Sequence, residues 1–294
     1  MSEDLERSQD RLDNIRAIDP ILSALRTISM GSWQSALNRL SNVQIYRNHF
    51  TDIYSAILPF IDAKQAANDA GKVHISRVYT IVVGSERGLI GKFNRDIAEY
   101  ASSYIFEQLQ KNIEVDFWLL GSRIKRIFSQ LRLTHTSFSA LSTTSLPPFQ
   151  LASEITNELL MLYEKHEIDA ADVIYNNYQG SSRYKISVKR VIPFTPNINQ
   201  EQVHEPPWPP AIVETDPVSL YTQLVKQETA IHMYGLLLAS AAAEHSARYQ
   251  LLEEATQNAQ RLIEELNLAV QMSRRQAITR EMQELAVGAG MLEK

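Results

Sequence analysis

Between Asp216 and Gly288 the chain holds one glycine, Gly235, and no proline after Pro217. Nothing in that stretch stops a helix. A helix from 217 to 287 would be about 105 Å long at ~1.5 Å per residue, a rod that no compact domain of this size needs. Leu252, Ala255, Ala259, Leu262, Leu266 and Ala269 step alternately by three and four, the spacing of a coiled-coil seam. So narrow a seam must be covered, and the alanines at 255 and 259 let a second helix approach closely.

The other end of the chain offers the cover. Ile15, Ile18, Leu22 and Leu25, then Ala36, Leu40 and Val43, then Phe50, Ile53 and Ile57 repeat at three to four residues, which predicts a second long helix with a narrow apolar stripe. Asp19-Pro20 interrupts it. Proline removes a helix hydrogen bond, so a kink or a helix restarting at Pro20 is expected. Between the two helices the period changes. Ser76–Val83, Val115–Leu120, Asp172–Tyr178 and Tyr184–Ile192 read as strands, with helical stretches near 93–111, 122–132 and 150–167. Strands alternating with helices predict an α/β domain with a largely parallel sheet. Pro196, Pro206, Pro207, Pro209, Pro210 and Pro217 mark a linker. The fold class expected is α/β: a long antiparallel coiled coil of the N- and C-terminal helices, plus a central Rossmann-like domain. The divisions are residues 1–62 (helix), 73–195 (α/β domain), 196–215 (linker) and 216–294 (helix).

Composition narrows the function. The chain has no cysteine, which removes disulfide frameworks and cysteine-ligated zinc or iron–sulfur sites. A net charge of -5 argues against a dedicated nucleic-acid binder. No apolar run reaches the ~18 residues of a membrane span. The acidic start MSEDLERSQD resembles neither a signal peptide nor a transit peptide, so a reducing cytoplasm is the expected compartment.

Few residues suggest chemistry. Gly84–Gly91 lies between a strand and a helix, where a phosphate cradle would sit, yet it lacks the dinucleotide and P-loop spacings. It reads as a tight loop. Glu244 and Arg248 are four apart on a helix, an ordinary ion-pair spacing, and His245 faces elsewhere. His135, His166, His204 and His232 have no metal-ligand spacing. No catalytic group, cofactor or metal is expected.

Several motifs are familiar. Ala243-Glu244-His245-Ser246-Ala247-Arg248, Ala255-Thr256-Gln257-Asn258-Ala259 and Ile278-Thr279-Arg280-Glu281-Met282-Gln283-Glu284, ending in Gly288-Ala289, closely resemble the gamma subunit of F-type ATP synthases. Ser85-Glu86-Arg87-Gly88-Leu89-Ile90-Gly91-Lys92-Phe93-Asn94 resembles that family's Ser-Asp-Arg-Gly-Leu-x-Gly-x-Phe-Asn loop, and Tyr175–Tyr178 and Ile192-Pro193 stand where the family would put them. The resemblance covers essentially the whole chain. It implies a non-catalytic central-stalk rotor. The paired terminal helices would turn inside a hexamer of alpha and beta subunits, and the α/β domain would rest on the membrane c-ring and meet the epsilon subunit. Ion flow through the ring would thereby couple to ATP synthesis or hydrolysis. The expected location is peripheral, on the cytoplasmic face of the cell membrane.

By the same resemblance Arg274, Arg275 and Gln271 would contact the beta-subunit lever. Ile278, Met282, Leu285 and Met291 would form the bearing tip of the axle. Arg87, Gly88, Leu89 and Lys92 would touch the ring or epsilon. The chain also departs from the family. Residues 1–60 carry no lysine but six arginines against seven acids, Trp33 stands where a lysine is common, Pro20 is unexpected, and Arg275 replaces a glutamine. Two rival readings remain. A small-molecule enzyme would need a deep polar pocket at the carboxyl ends of the strands. A gamma-like coiled-coil adaptor would lack a rotary ATPase partner.

Overall fold

The computed structural model describes residues 2–57, 60, 75–180, 183–193 and 214–288. The chain divides into two compact units, Met30–Ala247 and the pair Met1–Ser29 with Arg248–Lys294. Its elements run α1 (Ser2–Ile57), β1 (Arg77–Val83), α2 (Phe93–Leu109), β2 (Glu114–Leu120), α3 (Ser122–Gln130), β3 (Ser137–Ser139), α4 (Phe149–Glu164), β4 (Ala170–Tyr178), β5 (Tyr184–Ile192) and α5 (Pro217–Gly288). Long helices at both ends and a strand-rich middle match the expected class. The Pro-rich linker lies almost wholly outside the described residues, as does Met291.

In the larger unit the five strands are ordered β3-β2-β1-β4-β5. β1 sits at the centre because six of its seven residues are buried, the apolar run of a strand covered on both faces. It pairs parallel with β2 and β4, and β2 pairs parallel with β3. β5 is antiparallel to β4. A turn near Gly180, with φ of +85°, links the two, and no crossover fits in so short a connection. β5 is an edge strand, and Lys185, Lys189 and Arg190 on it discourage further pairing. β3 was not anticipated, since three residues carry too little pattern to read.

Each face of the sheet has its own core. Ile81, Val83, Trp118, Val173 and Tyr175 pack with Ile155 and Leu159 of α4 and Met233 and Leu237 of α5. On the other face Val82, Phe117, Leu119 and Ile174 pack with Ile97 and Ala101 of α2 and Ile124 and Phe128 of α3. In the same unit Phe50 and Tyr54 of α1 meet Tyr221 and Leu224 of α5, while Ala36 meets Ala241 and Ala242. The two helices are therefore antiparallel there.

In the smaller unit they are antiparallel again. Arg26 pairs with Glu253 at 2.8 Å, Arg16 donates to Asn267 at 2.9 Å, and Arg274 donates to Gln9 at 3.1 Å. The buried side of α1 keeps one phase from Leu5 to Ile57, through Leu12, Asp19, Arg26, Trp33, Leu40, Arg47 and Tyr54. That strict seven-residue repeat corrects three seam assignments, and the half-buried Leu25 yields its place to Arg26. Ile18 is 50% exposed and Ile53 40%, and their seam places go to Asp19 and Tyr54. On α5 Leu252, Ala259 and Leu266 lie on the seam as expected, but their neighbours are Thr256, Ile263 and Val270 rather than Ala255, Leu262 and Ala269. Both phases fit a three–four pattern. The observed one turns branched side chains inward, where they fill more of the interface than alanines would. Of the two outcomes expected at Pro20, the restart does not occur; α1 runs through it as one helix.

Candidate functional site

Two surfaces carry the residues that the sequence singles out. The first is the β1–α2 loop of the larger unit. Its shape is imposed by close approaches. A Cβ at Gly84 would lie 2.4 Å from Ile124 Cβ, so no larger residue fits. At Gly121, with φ of +100°, a Cβ would lie 2.7 Å from the Ser85 carbonyl oxygen. Inside the loop, Ser85 N donates to Asn94 Oδ1 at 3.0 Å, Asn94 Nδ2 donates to Ser85 Oγ at 2.8 Å, and Ser85 Oγ donates to the Arg87 carbonyl at 2.9 Å. Glu86 accepts from the backbone amides of Ser122 and Leu141, both at 3.0 Å, and from the Ser122 hydroxyl. Burial works to raise the Glu86 pKa, but these three donors and nearby Arg123 outweigh it and hold the carboxyl below its ordinary value.

Ile90 and Phe93 anchor the far side of the loop against Ala243 and Ala247 of α5. What faces outward is Arg87, Leu89 and Lys92, with Leu89 held at φ of +60°. Gly88 is half-buried, and a Cβ there would lie 3.6 Å from the Arg123 guanidinium. Three of the four expected contact residues therefore share one exposed surface, with Gly88 beneath it. A phosphate cradle needs free amides, whereas the Ser85 amide is bound by Asn94 and the Gly84 amide by the Leu120 carbonyl at 2.9 Å. Sequence reasoning missed Glu86, Asn94 and Gly121 as the supports of this loop.

The second surface is α5 in the smaller unit. Gln271, Arg275, Ile278, Met282 and Leu285 follow one another by four, three, four and three, so they lie on one stripe. All five are exposed; Ile278, Met282 and Leu285 are 57%, 66% and 67% accessible. The seam toward α1 runs along Val270, Ser273 and Ala277 instead. Arg274 and Arg275 are separated by this geometry. Arg274 leaves the stripe to donate to Gln9, while Arg275 stays on it. Among the described residues no three His, Asp or Glu side chains are grouped to hold a metal ion, and no helix is long and apolar enough to cross a membrane.

A family model described as ATP synthase matches residues 4–292. The ATP synthase gamma chain of Amoebophilus asiaticus is 25% identical over 97% of this chain and 97% of its own length. That of Rubrobacter xylanophilus is 26% identical over 98% and 97%. Among solved structures, a chain of the Euglena gracilis mitochondrial ATP synthase (OSCP/F1/c-ring, rotational state 3) aligns with a TM-score of 0.67 at 15% identity, over 100% of this chain and 98% of that one. A chain from the central stalk and c-ring of the Tetrahymena thermophila enzyme aligns at 0.57 and 16% identity, over 80% and 99%. The fold is shared with both. With the model matched from residue 4 to residue 292 and both curated relatives spanned nearly end to end, this chain belongs to the ATP synthase gamma-chain family.

Proposed function

We propose that the chain is the central-stalk subunit of an F-type ATP synthase, turning within a hexamer of alpha and beta subunits and joined to the c-ring and the epsilon subunit. The observation that carries this reading is the exposed stripe on α5. α1 and α5 bury their own seam, yet Ile278, Met282 and Leu285 remain outside it. An apolar stripe without directional hydrogen bonds suits a surface that must slide past its surroundings. Gln271 and Arg275 continue the stripe, and an Arg fork there suits recognition of a carboxylate or carbonyl on a beta subunit. The β1–α2 loop presents Arg87, Leu89 and Lys92 to the ring or epsilon.

The subunit does no bond chemistry in this reading. It biases three otherwise equivalent catalytic sites by touching each differently, since an element shifts an equilibrium only through differential interaction. Its place is peripheral, on the cytoplasmic face of the cell membrane. The test is co-purification from the native host, with the tag in a surface loop of the central domain. One copy with three alpha-like and three beta-like subunits is the expected outcome. Recovery of the chain alone, or as a homodimer, would overturn the proposal in favour of an adaptor.

A further inference from the structure

The larger unit contains a cavity that neither surface uses. It lies among α1, α5 and the β4–β5 edge and has a volume of about 850 Å³, within the ~300–1,000 Å³ of small-molecule sites. Leu40, Val43, Tyr175 and Leu236 give it an apolar wall, and Arg47, Lys189 and His232 supply the charge and polarity. No lining residue is an acid. Arg190 also lines it, but its guanidinium is engaged by Asp172 at 2.8 and 3.0 Å.

Of the cations, Lys189 reaches in from the exposed edge strand, whereas Arg47 is built into the helix pair. Arg47 occupies a seam position of α1, where an apolar residue would stabilise the helix pair more. Its Nε is buried and has no hydrogen-bond partner. Glu228, one turn before His232, is near enough for its carboxyl to feel the Arg47 charge, but burial holds that carboxyl above its ordinary value. His232 is held near a pKa of about 4 by burial first and then by Arg47 and Lys189. The two cations add to burial at His232, and no acid in the lining offsets them.

Gly235 points the same way. It sits inside α5, where glycine is less stable than alanine by ~0.5–1 kcal/mol. A Cβ there would meet only Val43, at an ordinary 3.5 Å. Packing does not require the glycine. What it preserves is room in the cavity that Gly235 and Val43 both line.

We propose that this cavity binds a small phosphate-bearing molecule with an apolar or aromatic body, its anionic end on Arg47 and Lys189 and its body against Tyr175 and Leu236. The site is separate from both surfaces assigned to rotation, so it stands or falls independently of the central-stalk reading. The experiment is calorimetric titration of the purified full-length chain with ADP and with pyrophosphate. Saturable binding of at least one probe is expected. Lys189→Glu, an exposed change on an edge strand, should weaken it about ten-fold or more, since charge-assisted contacts are the strong ones. Gly235→Leu should weaken it comparably by occupying the space, with helix content checked by circular dichroism. Lys111→Ala, in the turn after α2, should bind as the parent does. Failure of both probes to bind would overturn the proposal. So would binding that survives both Lys189→Glu and Gly235→Leu, which would mark a diffuse ion effect. Capture of another protein subunit at these residues, with neither probe binding, would replace the site by a docking groove.

Discussion

Glu86 holds three segments together with one carboxylate, accepting from Ser122 and Leu141 across stretches of 36 and 55 residues. Its pKa is held below the ordinary 4.5, so the folded form favours the ionised group. The stability it contributes is fully present above pH ~4.5 and is lost as the pH falls through its lower folded value. Glu86→Gln should therefore lower stability by about 1 kcal/mol at neutral pH and flatten the acid limb of a thermal-stability profile. A parallel acid limb in the variant would refute this role. Asp172 shows the buried counterpart. It accepts from the Tyr104 hydroxyl at 2.6 Å and from Arg190 twice, and it is 4% exposed. Removing Arg190 leaves a buried carboxylate with one partner. Because Arg190 itself is partly exposed, Arg190→Ala should cost about 2 kcal/mol rather than the full loss of a buried pair; denaturant unfolding at pH 7 reads it directly. Neither role was legible in the sequence. Glu86 and Asp172 were visible as acids in a loop and a strand, but their partners come from distant segments that only the sheet brings together.

At the scale of elements, most of the fold could be read and its phase could not. The strands β1, β2, β4 and β5 and every helix were placed within a few residues, because buried apolar runs and three–four repeats are strong signals. The seam of α5 was misplaced at alternate steps, since Ala255 and Thr256, or Leu262 and Ile263, satisfy a repeat of 3.5 equally well. The partner helix decides between them, and it makes the interface with branched side chains. α1 carried the clue to its own phase in Asp19, Arg26 and Arg47, polar residues that fall every seventh place or a multiple of it. Pro20 does not end α1. A helix held along its length by a partner tolerates the loss of one hydrogen bond, at a cost. Pro20→Ala should restore the amide that Arg16 C=O lacks and stabilise the chain by about 1–3 kcal/mol, as a rise in the thermal midpoint of the helical signal. An unchanged midpoint would mean that the local backbone already compensates.

At the scale of the whole molecule, adjacent arginines acquire unequal roles. Arg274 is spent on Gln9 within the helix pair, and Arg275 lies on the stripe with Ile278 and Met282. In the assembled complex Arg275→Ala should lower torque and turnover several-fold, with assembly intact. Arg274→Ala should leave torque close to the parent's, since an exposed bond of this kind contributes ~1 kcal/mol at most. Single-molecule rotation distinguishes them, and equal effects would show that the stripe is not the contact. The resemblance pointed to both arginines, but only the helix phase could separate them.

The seven-residue repeat of α1 and its partner has a mechanical consequence. A repeat of 3.5 winds a helix pair left-handed, and a two-stranded rope does not answer the two senses of twist alike. Torque that follows the lay tightens the strands onto each other, while torque against it draws them apart. In the proposed rotor a pair wound this way should be stiffer toward one direction of drive, so the elastic energy stored per step should differ between making ATP and consuming it.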